Sequence, residues 1–296
     1  MTEPAFRSGL VALAGRPNVG KSTLVNALVG DHVATVSDKP QTTRRRLLGI
    51  VHGDGHQIVL VDLPGFQRPR DRLTERMQRG VEEGLTDVDA VLFVVDARAG
   101  IGPGDRRVAA RVAATAAPCL IVVNKVDGMD AGAIAAAIEE AAGLCPFVAL
   151  HPVSARTGDG VDAIRDELAA LLPEGPAYFP AGVVSDQTEE GRIAEVVREA
   201  ALAEVREEVP HALAAQVEEI ERGGRPPAVV RVRLICETES QKGILIGRHG
   251  AMVKRIGSAA RPRVEQILGG PVYLELSVKA RPHWRRDATA LDDLGV

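Results

Sequence analysis

The sequence predicts an α/β protein in two parts: a doubly wound domain, then a smaller α+β domain. Three observations carry this prediction. Short apolar runs alternate with helix-like runs up to about residue 172. A proline-rich stretch follows, Pro173-Glu-Gly-Pro-Ala-Tyr-Phe-Pro180. Beyond it come an amphipathic helix and strands of alternating polarity. Strands covered on both faces read as continuous apolar runs, and half-buried strands alternate.

In chain order, residues 10–14 read as a buried strand and 22–29 as a helix with Leu24, Val25 and Leu28 on one side. Further buried strands are expected over 58–62, 90–96, 119–124 and 147–150, and a helix over 161–172. The prolines between 173 and 180 stop that helix and stiffen the crossing. Residues 190–208 form an amphipathic pattern with Ile193, Val196, Val197 and Leu202 inward. In 229–237, Val230, Val232 and Leu234 alternate with Arg231 and Arg233, and 272–279 alternates as well. Residues 211–220 are ambiguous: alanine-rich composition favours helix, whereas the domain layout wants a strand. The expected boundaries are 1–175 for the first domain, 176–188 for a linker and 189–296 for the second domain.

The 296 residues suffice for two domains, and 45% hydrophobic residues support ordinary cores. Cys119, Cys145 and Cys236 are odd in number and far apart in sequence. They supply neither a disulfide frame nor a C-x-x-C metal pair, and suit a reducing compartment. The first residues are acidic and no apolar run approaches a membrane span, so a signal peptide is not expected and any membrane contact would be peripheral.

The most specific stretch is Gly15-Arg-Pro-Asn-Val-Gly-Lys-Ser22, a G-x-x-x-x-G-K-[ST] phosphate loop between strand and helix. Gly15 and Gly20 let the backbone bend so that successive N–H groups, Val19 among them, face one phosphate chain. Lys21 reaches the outer phosphates, Ser22 offers its hydroxyl to Mg²⁺, and Thr23 continues the site into the helix. Asp62-Leu-Pro-Gly65 ends the next apolar strand. Asp62 is placed to orient a metal-bound water, and the Gly65 N–H to bond the γ-phosphate, so that phosphate loss releases the loop.

In Asn124-Lys-Val-Asp127, Asp127 can accept from the guanine ring N–H and exocyclic amine, a donor pair that adenine lacks. Asn124 would brace the loop and the Lys125 stem would lie on the base. Ser154-Ala155-Arg156 follows the last strand, where the Ala155 N–H can meet guanine O6. Gln41-Thr-Thr-Arg44 lies in a polar loop. There Thr43, with Thr42 as runner-up, is the candidate to complete the metal shell. The neighbouring Arg44, Arg45 and Arg46 fit a solvated or partner-binding surface better than a catalytic finger.

These five elements occur in the order of the GTPase superfamily, and the finer text resembles the Era family of bacterial GTPases. Asn18 in the phosphate loop, the Gln-Thr-Thr-Arg segment and Phe66 after Asp-Leu-Pro-Gly carry the resemblance. Leu63 departs from the threonine usual there. Phe66 replaces the glutamine that orients water in Ras-type enzymes, which implies slow intrinsic GTP hydrolysis to GDP. The resemblance further implies that an asparagine at Asn18 binds a monovalent cation, hence potassium-stimulated turnover.

Gly247-Arg-His-Gly250 lies between two apolar segments, in the pattern of a KH domain. Its glycines admit a nucleic-acid backbone, and the following helix start favours phosphate. Lys242, Arg248, His249, Lys254 and Arg255 are the candidate RNA contacts around it. From 240 to 286 there are ten basic residues and two acidic ones, a local +8 in a chain of net charge −4. That is the footprint of a polyanion partner. Trp284 either stacks on a base or pins the tail to the core.

Gln241-Lys-Gly-Ile-Leu-Ile-Gly-Arg-His-Gly and Pro271-Val-Tyr-Leu-Glu-Leu-Ser-Val-Lys extend the Era resemblance over nearly the whole chain. It implies a type II KH fold and a strand at the ambiguous segment. It also implies binding to the 3′ end of small-subunit ribosomal RNA during maturation of the small ribosomal subunit. A cytoplasmic, monomeric protein with peripheral association at the inner face of the cell membrane is implied too, the membrane contact without a visible sequence cause. Pro262 falls where the family runs a helix, so a kink or a restart is expected there. Two rival functions remain. One is a G domain acting on a protein or membrane partner, with the basic region as anchor. The other is an RNA binder that uses GTP only for stability.

Overall fold

In the first part of the chain, apolar runs pair into one six-stranded sheet. Arg7–Ala14 (β1) lies parallel to both His56–Asp62 (β3) and Ala90–Asp96 (β4). Cys119–Asn124 (β5) continues parallel to β4, and Ala149–Val153 (β6) parallel to β5. Leu47–Gly53 (β2) is antiparallel to β3, so the order is β2-β3-β1-β4-β5-β6. The sheet is therefore mixed, because β2 and β3 form a hairpin rather than a crossover unit. The computed structural model describes residues 5–37, 43–66, 69–205, 209–223 and 227–295.

Alternation along the strands divides the core between the two faces. Val11 and Leu13 pack with Leu24, Val25 and Leu28 of Lys21–Val29 (α1) and with Ile164 and Leu168 of Val161–Leu171 (α5). On the other face Phe93, Val95 and Ile121 meet Val108 and Val112 of Pro103–Val112 (α3) and Ala141 of Ala131–Ala142 (α4). Ala12, Val59 and Leu63 meet Val81 of Arg72–Gly84 (α2). Leu63 is fully buried there, so an apolar side chain at that position is a packing residue.

Beyond β2, which the expected strands did not include, two details differ from the sequence pattern. β6 starts two residues later than expected, and Phe147 and Val148 are 41% and 54% exposed. As an edge strand, β6 is covered less than its apolar text suggests. The stretch after α5 also does more than cross between domains. The Ile50 N–H donates to the Val184 carbonyl at 2.9 Å and the Leu48 N–H to Asp186 Oδ1 at 2.9 Å. Buried Gln57 takes the N–H groups of Tyr178 and Phe179 at 2.8 and 3.0 Å. This segment covers the free edge of β2, which would otherwise present unpaired backbone groups.

The chain divides into two compact units, the first made of most of the chain up to Asp186 and the second mainly of the chain from Gln187 onward. In the second unit, Glu189–Glu204 (α6) buries Ile193, Val196, Val197 and Leu202. The ambiguous segment resolves into a short helix, Val209–Ala212 (α7), and a strand, Ala214–Glu221 (β7). β7 is antiparallel to Ala228–Cys236 (β8), and Val272–Ala280 (β9) is parallel to β8. Between β8 and β9 run Glu239–Ile246 (α8) and Ala251–Leu268 (α9), and Ala288–Asp293 (α10) closes the chain. Val230, Val232 and Leu234 face the core, while Arg231 and Arg233 pair with glutamates on the other face.

α9 runs through Pro262 as one helix, with no restart. Ser258, whose carbonyl loses its helical donor to the proline, is exposed, so water can satisfy it. Trp284 is fully buried, and its Nε1–H donates to the Ala212 carbonyl at 3.0 Å. It therefore pins the tail and offers no face to a base. Cys119, Cys145 and Cys236 are buried free thiols. Cys119 and Cys145, distant in sequence, are brought together, and burial raises both pKa values.

Candidate functional site

The phosphate loop leaves the carboxyl end of β1 and enters α1. Gly20 takes the left-handed conformation, φ 99°, with the Asn124 side chain against the place where a Cβ would stand. Only glycine fits both demands. Lys21 is buried, and its Nζ donates to the carbonyls of Gly15 and Arg16 at 3.1 and 3.2 Å. Burial lowers its pKa to about 8, with Asp62 pulling the other way. Arg16 is held in turn by fully buried Asp105 in the first turn of α3, at 2.9 Å. Thr23 is half-buried in α1, and Asn18 sits exposed at the crest with φ 65°.

Three oxygen side chains converge beside Lys21. Ser22 Oγ is 2.8 Å from Asp62 Oδ2 and 2.9 Å from Thr43 Oγ1, and Thr43 Oγ1 is 3.4 Å from the same carboxylate oxygen. Asp62 is fully buried, and its Oδ1 has no hydrogen-bond partner. Burial raises its pKa, opposed by Lys21 and by the bonds from Ser22 and Thr43. Two hydroxyls and a carboxylate with an unpartnered oxygen are hard donors, the set that Mg²⁺ takes. Gln41 and Thr42 lie outside the described residues.

Gly65 follows Asp62 and lies against Pro17 of the phosphate loop. The Phe66 N–H donates to the Gly15 carbonyl at 3.4 Å, and its half-buried ring packs on the apolar clusters beneath the sheet. Of the neighbouring arginines, Arg45 and Arg46 are exposed as expected, but Arg44 is buried.

The guanine-type loops meet at the ends of β5 and β6. Buried Asn124 donates through Nδ2 to the Val19 carbonyl at 2.9 Å and accepts from the Ala155 N–H at 3.0 Å. It therefore ties the phosphate loop to both base-side loops. Lys125 Nζ reaches the Asn18 carbonyl and Asp96 Oδ2, each at 2.6 Å. Ser154 Oγ donates to Asp127 Oδ1 at 3.0 Å, and Arg156 to Asp127 Oδ2 at 2.5 Å. Hydrogen bonding from Arg156 is the main cause holding the Asp127 carboxyl below its usual range.

Sequence reasoning missed Asp96 and Arg98, which grip this loop from the end of β4. Asp96 ends an apolar strand as Asp62 does, which was the available signal. Nothing in the text marks Arg98.

In the second unit a tight turn, Arg248–Gly250, joins α8 to α9. Gly247 has φ 71°, and a Cβ there would come within 2.8 Å of the Met252 nitrogen. Arg248 and His249 are exposed at the turn. The charge of this region is only partly available. Lys242 pairs with Glu239 at 3.3 Å, Arg263 with Glu199 at 3.4 Å and Arg281 with Asp293 at 3.2 Å. Arg255 pairs with Glu204, and Arg285 with Glu237 at 3.9 Å. Among the described residues Arg248, Lys254, Arg261, Lys279 and Arg286 make no ion pair. Lys254 and Arg261 flank an open groove of about 550 Å³ between α9 and β9, with Tyr273 at its wall.

A nucleotide-binding sheet followed by a G-x-x-G unit defines the class: a GTPase domain joined to a KH-type domain. Family models agree, residues 10–125 matching "50S ribosome-binding GTPase" and 208–285 matching "KH domain". The chain belongs to the Era family of GTPases. It is 46% identical over 301 residues to GTPase Era of Mycobacterium tuberculosis, covering 100% of both chains. Against GTPase Era of Mycobacterium avium the identity is 46% over 302 residues, again with full coverage. Among solved structures it resembles an Era in complex with MgGDPNP and nucleotides 1506–1542 of 16S ribosomal RNA. There the identity is 36% and the TM-score 0.93, over 98% of this chain and 99% of that one. A variant of Aquifex aeolicus Era bound to GDP·AlF₄⁻ gives the same figures: 36%, 0.93, 98% and 99%.

Proposed function

We propose that this chain is a GTP-hydrolysing switch that binds the 3′ end of small-subunit ribosomal RNA and assists small-subunit maturation. The observation that carries the nucleotide half is the meeting of Ser22, Thr43 and Asp62 beside Lys21. The RNA half is supported by the unpaired cations at the G-x-x-G turn and by the relative solved with a 16S fragment. The GTPase model's description names the large subunit, but it matches only residues 10–125. The small-subunit reading follows the full-length relative instead.

In this reading Lys21 and the backbone around Val19 and Gly20 hold the phosphates, and Gly65 senses the γ-phosphate. Ser22, Thr43 and Asp62 hold Mg²⁺, which when bound neutralises phosphate charge. Asp127, braced with Ser154, reads guanine, and Asn124 keeps base and phosphate loops in register. The half-buried Phe66 ring packs against apolar clusters and carries no polar group that could orient the attacking water. Intrinsic turnover is accordingly slow. Potassium at Asn18 is the expected accelerator, and equal turnover in potassium and sodium buffers would remove it. The division into a G domain (1–175), a connecting segment and a KH domain (189–296) belongs to this reading. So do a monomeric free state in the cytoplasm and peripheral membrane contact. No described helix is long and apolar enough to cross a membrane.

Crosslinking and sequencing of RNA bound in the GTP and GDP states, with phosphate release measured in parallel, tests the proposal. Crosslinks from residues 247–250 to the 3′ end of small-subunit ribosomal RNA, with steady phosphate release from GTP and not ATP, are expected. Absence of RNA crosslinks there points to a protein or membrane partner. Absence of phosphate release leaves a passive RNA binder.

A further inference from the structure

Asp127 has more partners than guanine recognition leaves room for. An ionised carboxylate offers about four lone-pair sites. Oδ1 accepts from Ser154 Oγ at 3.0 Å, and Oδ2 accepts from both Arg98 Nη2 at 2.7 Å and Arg156 Nη2 at 2.5 Å. Guanine would bring two donors to this group, its ring N–H and its exocyclic amine. Three partners and two new donors exceed four sites, so one partner must yield when the base is read.

The three are not equally held. Ser154 is fully buried, and its Oγ also accepts from the Thr157 N–H at 3.2 Å. Arg98 has further anchors: its Nε donates to the Lys125 carbonyl at 3.1 Å, and its Nη2 to the Asp127 carbonyl. Its own backbone is fixed by Asp96, whose Oδ1 accepts from the N–H groups of Arg98 and Ala99 at 3.0 and 3.2 Å. Lys125 has φ 68°, a left-handed conformation that is uncommon for lysine, and Arg98 grips its carbonyl. Arg156, by contrast, has a side chain 75% exposed, and its one hydrogen-bond partner among the described residues is Asp127 Oδ2.

We infer that Arg98 is a positioning residue for guanine selection, fixing the Lys125–Asp127 turn, whereas Arg156 is a displaceable placeholder that competes with the base for Asp127. The inference rests on the guanine reading of Asp127 given above. Its consequence is that two arginines on one carboxylate oxygen act with opposite signs. Loss of Arg98 loosens the turn and the carboxylate together. Loss of Arg156 frees a site that guanine would otherwise have to empty.

The full-length chain with Mg²⁺ is titrated with fluorescent GDP, ADP and xanthosine diphosphate, and thermal melting confirms that each variant is folded. Arg98→Ala is expected to weaken GDP about tenfold and to narrow its preference over ADP, since charge-assisted bonds are lost. Arg98→Lys, which keeps the charge without the fork, should fall between. Arg156→Ala is expected to tighten GDP by about threefold, the scale of an exposed ion pair, and to speed association. In an Asp127→Asn background probed with xanthosine diphosphate, the Arg156→Ala effect should vanish. The Arg98→Ala effect should persist there, because its grip on the two carbonyls remains. GDP binding unchanged in Arg98→Ala, or weakened in Arg156→Ala, overturns the inference. An unaltered chain without guanine preference overturns the guanine reading itself, and this inference with it.

Discussion

Ser22 Oγ and Asp62 Oδ2 stand 2.8 Å apart, joining the phosphate loop to the end of β3 across 40 residues of chain. The second carboxylate oxygen of Asp62 is buried without a partner, and in the proposed reading the pair supplies two of the oxygen ligands to Mg²⁺. Ser22→Ala is expected to slow phosphate release from GTP by about a hundredfold and to raise the Mg²⁺ needed for half-maximal turnover, since metal ligation supplies several kcal/mol. A magnesium titration of turnover reads both effects. Unaltered magnesium dependence would remove Ser22 from the metal site.

Lys21 predicts a pH dependence. Burial lowers its pKa to about 8 from the ordinary 10.5. The folded value lies below the unfolded one, so the buried ammonium costs stability below pH 8, and that cost fades as pH rises toward 10.5. Phosphate binding needs the charged form. Guanine nucleotide affinity is therefore expected to fall above pH 8, toward about tenfold per unit, with uptake of about one proton on binding. Calorimetric GDP titrations at pH 7 to 9.5, in buffers of different ionisation enthalpy, measure both quantities.

In the proposed reading, Asp127→Asn replaces the acceptor of two guanine donors by an amide. The variant is expected to lose preference for GTP and to gain preference for xanthosine triphosphate, whose base presents the complementary acceptor. Competition between the two nucleotides in a turnover assay decides it. Full retention of GTP preference would mean that the base is read elsewhere.

Trp284 is a stability residue. Trp284→Phe leaves the Ala212 carbonyl without its 3.0 Å donor and should cost about 1–3 kcal/mol. Trp284→Ala adds a cavity and should cost about 3–5 kcal/mol. Urea unfolding measures both. A Phe variant of unchanged stability but weaker RNA binding would instead make the indole a contact.

The cations of the KH unit should separate by whether they are already paired. Arg248→Ala and Lys254→Ala are each expected to weaken RNA binding and to reduce its logarithmic salt slope by about 0.7, the single-strand value for one phosphate contact. Arg255→Ala, whose guanidinium already faces Glu204, should change the slope less. Equal slopes for all three variants would show that the internal pairs open on binding.

Features that depend on neighbours in the chain are written in the local sequence. The loop from Gly15 to Ser22 is legible because phosphate binding needs glycines and a lysine at fixed spacing before a helix. The inward sets Leu24, Val25 and Leu28, and Val230, Val232 and Leu234, follow from helical and strand periods alone. Asp62, Asn124 and Asp127 are legible because each falls at or just after a strand's carboxyl end.

Which distant groups meet is set by the folded chain. Thr43 reaches Ser22 across 21 residues, and Arg98 reaches Asp127 across 29. Trp284 turns inward to Ala212, acidic partners take up part of the +8 excess, and residues 183–186 cover the edge of β2. A side chain's partners depend on sheet register, helix packing and the loss of water around a charge. Those are set by the whole fold, and periodicity in one segment carries no record of them.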